Sequence, residues 1–263
     1  MTPLEVEDLS VRRADGHELL RGLSFSLGPG ERLGLVGESG SGKSLTALAV
    51  MGLLPAGMAA SGSVLLGGTQ VIGAPARRLD GVRGRVASVV FQEPLAALDP
   101  LMRVGGQIAE PIRRRHGLRG GRLHAAVLAA LSEVRLPERV ARAYPHEISG
   151  GQRQRVAIAM ALACEPGLLI ADEPTTALDV TVQAEVLALL DGLVTGRGMA
   201  LLFIGHDLAV IADVADRVVV LKDGSMVEWG RTRDIVREPR HAYTRSLVDS
   251  AWALEGELDR LAP

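Results

Sequence analysis

The chain has 263 residues, of which 47% are hydrophobic and 3% aromatic, enough for one large domain or two modest ones around a sizeable core. Its 29 basic and 31 acidic residues leave a net charge of −2, which argues against a dedicated nucleic-acid binder and, with so high an apolar fraction, against disorder. The single cysteine, Cys164, can form neither an internal disulfide nor a Cys-rich metal site, so a reducing compartment is expected.

In chain order, the opening segments LEVEDLSV and ELLRGLSFSL, followed by GPGE, read as antiparallel strands joined by turns. No secretory leader is expected, because the acidic start MTPLEVEDLS lacks a basic region followed by an apolar one. Short, continuous apolar runs follow at Arg32–Val36, Arg85–Phe91, Leu168–Ala171, Met199–Ile204 and Arg217–Leu221. Runs of this kind fit parallel strands covered on both faces. Helical spacing lies between them, in Leu123, Val127, Leu131 and Val134, and again in Val182, Val186, Leu189 and Leu193. Alternating strands and helices predict an α/β fold with a doubly wound parallel core. The block from about Pro100 to Ser149 has helical periodicity and no convincing strand, and is expected to be a helical insertion. After Gly230 a short polar helical tail is expected, ending at Pro263. The longest uncharged stretch, Ser44 to Ala76, is broken by Gly52, Pro55, Gly57, Ser61, Gly62 and the Gly67-Gly68 pair. None of its pieces reaches the roughly 20 apolar residues of a membrane span, so a soluble chain is expected.

Three motifs carry chemistry. Gly37-Glu38-Ser39-Gly40-Ser41-Gly42-Lys43-Ser44 matches G-x-x-x-x-G-K-[ST] between a strand and a helix pattern beginning with Leu45, Leu48 and Ala49. Such glycines let backbone N–H groups face a phosphate at a helix N-terminus, with Lys43 reaching the β- and γ-phosphates and Ser44 ligating Mg²⁺. Lysine occurs only at positions 43 and 222, which sharpens the match. Second, Leu168–Glu173 is an apolar strand ending in two carboxylates, at the edge where open α/β sheets bind ligands. There Asp172 would hold Mg²⁺ through water and Glu173 would accept a proton from the attacking water. Alone, the pair fits a solvated turn equally well. Third, Ile148-Ser149-Gly150-Gly151-Gln152 opens the helical segment QRQRVAIAMALA. By itself it reads as an N-cap.

At this point the sequence resembles the ATP-binding subunits of ABC transporters, whose signature is LSGGQ; here it begins with Ile148. The resemblance runs from about Leu4 to Ser250 and includes Gln92 as the Q-loop, Ala177-Leu178-Asp179 as the D-loop and His206 as the switch histidine. It implies a P-loop NTPase (RecA-like) parallel-sheet core, an N-terminal antiparallel β subdomain and an inserted α-helical subdomain. The domain would span 1–230, with the insertion at about 100–150 and a tail over 231–263. It implies two subunits sandwiching two ATP molecules, each between one subunit's loop 37–44 and the other's Ser149–Gln152, with Asp179 alongside. Gln92 would sense Mg²⁺ and the water while its loop touches a membrane subunit, and His206 would contact the γ-phosphate. The family stacks adenine on an aromatic residue near the place of Arg13, where a guanidinium could stack or simply be a surface charge. Gly205 stands where Ser or Thr is common.

Narrower likeness to the dipeptide, oligopeptide and nickel importers lies in Phe91–Pro100, Tyr144-Pro145-His146-Glu147, Asp172–Val180 and His241-Ala242-Tyr243-Thr244-Arg245-Ser246-Leu247. Many peptide-type members continue into a cysteine-containing tail, so the stop at Pro263 points towards nickel or metallophore members. The implied partners are two transmembrane permease subunits, a second ATPase subunit (a paralogue, or a copy of this chain) and, indirectly, an extracytoplasmic solute-binding protein. The implied place is the cytoplasmic face of the bacterial inner membrane. An exporter ATPase or a non-transport ABC ATPase is the alternative, although the chain shows no fused membrane span, zinc cysteines or coiled coil. The basic run Arg113-Arg114-Arg115-His116, with Arg119 and Arg122, reads as a solvated face, and Cys164 as a core residue.

Overall fold

The five apolar runs form strands because their side chains have no exposed face to serve. In the computed structural model, which describes residues 2–176 and 178–261 (backbone only for 95, 96 and 253–261), the elements alternate as expected. They begin with β1 (Leu4–Arg13), β2 (Glu18–Leu27), β3 (Arg32–Val36), α1 (Lys43–Val50), β4 (Met58–Leu66), β5 (Thr69–Gln70) and α2 (Ala76–Leu79). Then come β6 (Ala87–Val90), α3 (Pro94–Ala97), α4 (Val104–His116), α5 (Gly120–Glu133), two 3₁₀ turns at Glu138–Arg142 and Pro145–Glu147, α6 (Gly150–Leu162) and β7 (Leu168–Asp172). The chain finishes with α7 (Val180–Arg197), β8 (Ala200–Gly205), α8 (Leu208–Val214), β9 (Arg217–Lys222), β10 (Ser225–Arg231), α9 (Thr232–Arg237) and α10 (Ala242–Leu261). Among the described residues no helix is long and apolar enough to cross a membrane.

The chain divides into two compact units, one of residues 1–80 with 200–263 and one of residues 81–199. In the first unit the strands lie in the order β5-β4-β1-β2-β10-β9-β3-β8. The β1–β2 and β1–β4 pairs are antiparallel, whereas β3 lies parallel to both β8 and β9. In β1 the buried residues are Leu4, Val6, Leu9 and Val11, and the break in their alternation coincides with a register shift beside Asp8, whose φ is +50°. That bulge turns Leu9 back towards the core. All six residues of β8 are buried, as are Leu33–Val36 of β3 and Val218–Leu221 of β9. Strands covered on both faces read as unbroken apolar runs for this reason.

The second unit has β6 parallel to β7, with its helical part built on α4, α5 and α6 around Ile108, Leu131 and Ile158, all fully buried. No strand occurs among the described residues from 100 to 149, as the helical insertion requires. Arg197, in the last turn of α7, ties helix ends together: Nη2 donates to both carboxylate oxygens of Glu133 at 2.9 and 2.7 Å, and Nη1 to the Leu162 carbonyl at 3.2 Å. The basic run closes α4, where cations suit the negative end of the helix dipole, and Arg113 and Arg114 both pair with Glu110. Cys164 is only half-buried; its thiol donates to the Pro111 carbonyl at 3.6 Å, and burial pushes its pKa up.

Candidate active site

In the first unit Val36 pairs with Gly205, so the chain leaves two neighbouring parallel strands together, towards Gly37 on one and His206 on the other. This is the sheet edge where an open α/β fold binds ligands. Residue 37 must be glycine: a Cβ there would lie 2.2 Å from the Leu221 carbonyl oxygen and 2.6 Å from Ser41 Oγ. Gly42, with φ +101°, caps α1, and a Cβ there would lie 2.4 Å from Leu20 Cδ2. The loop is thus drawn tight against β2 and β9, and its amides gather at the N-terminus of α1. Lys43 is buried and folds back, its Nζ donating to the carbonyls of Gly37 at 2.7 Å and Glu38 at 2.9 Å. Among the described residues the buried Ser41 hydroxyl has no hydrogen-bond partner, a deficit of about 1–3 kcal/mol. Converging amides, an ammonium resting on carbonyls it can exchange for oxyanions, and an orphaned hydroxyl fit a phosphate chain.

In the second unit Val90 pairs with Ala171, so β6 and β7 deliver Gln92 and the Asp172-Glu173 pair from adjacent strand ends. Gln92 Nε2 donates to Glu173 Oε2 at 3.0 Å, and Thr176 Oγ1 donates to the same oxygen at 2.9 Å. Asp172 is buried at the end of β7. Glu173 has φ +45°, a left-handed conformation that a residue with a Cβ adopts at a cost of about 1–3 kcal/mol. Ser149 and Gln152 form a capping box on α6: Ser149 Oγ accepts from the Gln152 amide at 3.3 Å, and Gln152 Oε1 accepts from the Ser149 amide at 3.1 Å. Ser149 and Gly150 are exposed at that helix start. The N-cap reading therefore holds, and the same geometry leaves a positive helix end facing solvent. Asp179 caps α7, accepting from the Val182 amide at 3.0 Å. Ala177 lies outside the described residues.

Arg13 closes β1 in the first unit, with Nε and Nη2 donating to Asp15 Oδ2 at 2.8 and 2.5 Å, while Asp15 Oδ1 accepts from the His17 amide. That hydrogen bonding lowers the Asp15 pKa to about 2 and raises that of Arg13. Among the described residues, no group of three or more His, Cys, Asp or Glu could hold a metal ion. A divalent ion at Ser44, Gln92 or Asp172 would need phosphate oxygens as further ligands, which is how Mg²⁺ is usually bound beside nucleotides.

The profile of the family described as ABC transporter matches residues 20–176. This chain belongs to the ABC transporter family. It is an ABC ATPase, and among its relatives the oligopeptide transport ATP-binding protein OppD of Salmonella typhimurium is 45% identical, over 97% of this chain and 77% of that protein. The peptidoglycan transport ATP-binding protein YejF of Agrobacterium fabrum is 48% identical over 93% of this chain but 46% of its own length. OppD of Mycobacterium tuberculosis is 46% identical over 100% of this chain and 44% of its own. The chain therefore spans about half the length of the Agrobacterium and Mycobacterium relatives. The dimeric post-hydrolysis structure of the ATP-binding cassette MJ0796, bound to ADP and Pi, is 27% identical with a TM-score of 0.78, covering 88% of this chain and 99% of that one. The cbiO1 structure of Clostridium perfringens, part of the ABC transporter complex cbiONQ, is 26% identical with a TM-score of 0.77, covering 99% of each.

Sequence reasoning named Ser41 in the glycine loop but passed over two residues of this ABC ATPase. Thr176 shares the Glu173 carboxylate with Gln92. Tyr243 accepts a hydrogen bond from the Glu38 amide at 2.8 Å. The likeness of His241–Leu247 to importer subunits was the signal available for the last.

Proposed function

We propose that this chain is the ATP-binding and ATP-hydrolysing subunit of an ABC importer that energises the uptake of short peptides through separate membrane subunits. The observation that carries the reading is the Glu173 carboxylate, clamped through one oxygen by Gln92 and Thr176 at a strand end, in an ABC ATPase whose glycine loop holds an orphaned hydroxyl. The named relatives are oligopeptide, peptide and peptidoglycan transport proteins, which weights peptides above nickel or metal chelates as cargo. Because the chain spans only part of several relatives, the place where it stops carries no weight between those cargoes.

Residues 1–230 form the cassette, with its helical subdomain at about 100–150 and a tail over 231–263. The amides of the glycine loop other than those of Glu38 and Ser41, which are engaged within the fold, hold the phosphates with the Ser41 hydroxyl and Lys43, and Arg13 stacks on the base through the faces of its guanidinium. Ser44 and Asp172 would hold Mg²⁺, which would supply charge neutralisation on the phosphate oxygens. Glu173 takes a proton from water, whose oxygen attacks the γ-phosphorus as the bond to ADP breaks. Gln92 orients that water, and His206 donates to the γ-phosphate. Ser149–Gln152 of the companion ATPase, with Asp179, close on the same nucleotide, so ATP is needed for closure and its loss opens the pair. The companion is a paralogue in the favoured form, or a second copy. The other partners are two transmembrane permease subunits and, indirectly, an extracytoplasmic solute-binding protein, with no nucleic acid. The complex sits at the cytoplasmic face of the bacterial inner membrane.

The test is uptake of a labelled short peptide and of labelled nickel by cells lacking this protein, complemented with wild type or Glu173→Gln. Peptide uptake restored by wild type alone supports the reading. Restoration of nickel uptake alone moves the cargo to metal, and rescue by Glu173→Gln refutes the hydrolytic role.

A further inference from the structure

Tyr243 lies in the first turn of α10, more than 190 residues from the glycine loop in sequence, yet its hydroxyl accepts from the Glu38 amide at 2.8 Å. The ring is buried, and the Lys222 ammonium sits 5.0 Å from its centroid. Its placement is built from below. Glu228 on β10 accepts from the amides of Arg240 and His241 at 2.9 and 3.0 Å, fixing the turn into α10, and His241 Nδ1 accepts from the Tyr243 amide at 3.1 Å. The β9–β10 turn braces the loop a second time, the Gly224 amide donating to the Ser41 carbonyl at 3.2 Å.

Residue 38 is consequently gripped at both ends, its N–H by Tyr243 and its carbonyl by Lys43. The two grips differ in what a phosphate does to them. Lys43 Nζ now rests on loop carbonyls and would turn to phosphate oxygens when these arrive, leaving the Glu38 carbonyl to the Ser41 amide, which donates to it at 3.1 Å. The phenol has no charge to offer a phosphate and stays where the helix puts it; burial, with the Glu38 and Asp223 carboxylates, pushes its pKa up and keeps it neutral. We propose that Tyr243 is a positioning residue of the nucleotide loop, holding the Glu38 amide so that α10 of the tail sets how well the loop receives phosphate. This rests on the reading of residues 37–44 as the nucleotide loop.

The experiment uses the full chain and compares wild type, Tyr243→Phe and Lys43→Ala. ATP affinity with Mg²⁺ is measured by calorimetry, the melting temperature without nucleotide by scanning, and the exchange rate of the Glu38 amide by NMR. Phe keeps the ring, its burial and the Lys222 contact, so the nucleotide-free melting temperature falls by no more than about 2–4 °C, the shift expected of one lost hydrogen bond. ATP affinity falls roughly three- to tenfold, the range expected for one net hydrogen bond that keeps the loop in its competent form. The Glu38 amide exchanges faster by a similar factor. Wild-type or tighter ATP binding by Tyr243→Phe, beside clear weakening by Lys43→Ala, overturns the inference and leaves the nucleotide loop standing. A nucleotide-free melting temperature that drops by more than about 4 °C together with affinity also overturns it, assigning Tyr243 to packing. Wild-type affinity in Lys43→Ala overturns the nucleotide-loop reading itself.

Discussion

Glu173→Gln separates the chemistry of the site from its shape. Two donors, Gln92 Nε2 and Thr176 Oγ1, converge on Oε2 at 3.0 and 2.9 Å, so that side of the carboxylate is fixed as an acceptor. The carbonyl oxygen of a glutamine takes the Oε2 place with both hydrogen bonds kept, because both donors need an oxygen there. The amide nitrogen must then occupy the Oε1 place, where a proton acceptor becomes a donor of the same size. Turnover should fall at least about 10²-fold, the contribution of a positioned general base, which is about 2.7 kcal/mol in the barrier. ATP affinity should stay at the wild-type value, since the hydrogen bonds from Gln92 and Thr176 both survive the substitution. The assay is steady-state phosphate release by the assembled transporter, with ATP binding measured on the same preparation. Turnover within about threefold of wild type would refute the general-base assignment. A parallel loss of ATP binding would show instead that the clamp had collapsed and that the carboxylate is structural.

Lys43→Ala should weaken ATP binding at least about tenfold, because one charge-assisted donor to phosphate is worth about 1.5–3 kcal/mol; titration with ATP checks it. Ser149→Ala removes the side-chain cap of α6 and should lower stability by about 1 kcal/mol, read by denaturant melts. It should also abolish the ATP-dependent pairing of ATPase subunits, read by light scattering. The Glu228 pKa lies below the usual 4.5: burial raises it, but the Thr244 hydroxyl beside it and the donating amides of Arg240 and His241 together outweigh that. A depressed carboxylate stabilises the fold above the unfolded pKa and loses that contribution as pH falls through the folded one. Glu228→Gln should therefore melt below wild type at neutral pH, and the gap should close on acidification below pH 4.5.

The parts of the fold legible in the sequence were those whose local pattern and tertiary role agree. RLGLV became β3 without adjustment and RVVVL became β9 with one added residue, since strands buried on both faces need no alternation to announce them. The segment MAASGSVLL gives no such signal: its small and polar residues become β4 only because β1 pairs with it from Leu4↔Leu66 to Arg13↔Met58. Likewise SMVEWGR becomes β10 through its pairing with β9, a non-local event that no window of sequence contains. Helical spacing found the helices but not always their faces. Leu45 and Leu48 of α1 are half-buried while Thr46, Ala47, Ala49 and Val50 are enclosed, and α7 buries Leu190 and Val194 more fully than Leu193. The site was legible where chemistry forces residue types at fixed spacing, as in residues 37–44 and 149–152. Thr176 and Tyr243 act through single hydrogen bonds that folding alone brings into register, and a spacing rule has nothing to find there.

The backbone at Glu173 gives the site its last piece of physical logic. A strand continuing past Asp172 would carry the next side chain on in extended register, away from the acceptor position that Gln92 and Thr176 define. The turn to φ +45° at residue 173 breaks that register within one residue and aims the carboxylate at both donors. A glycine would adopt this backbone without strain but would bring no carboxylate, and an extended glutamate would bring one in the wrong place. The strained residue and the proposed base are the same residue because the proposed chemistry needs the carboxylate in that one place. The two hydrogen bonds on Oε2 offset about 1–3 kcal/mol of strain by supplying roughly as much in return. Removing Gln92 or Thr176 should loosen the base before it affects nucleotide binding, so that turnover falls while ATP affinity holds.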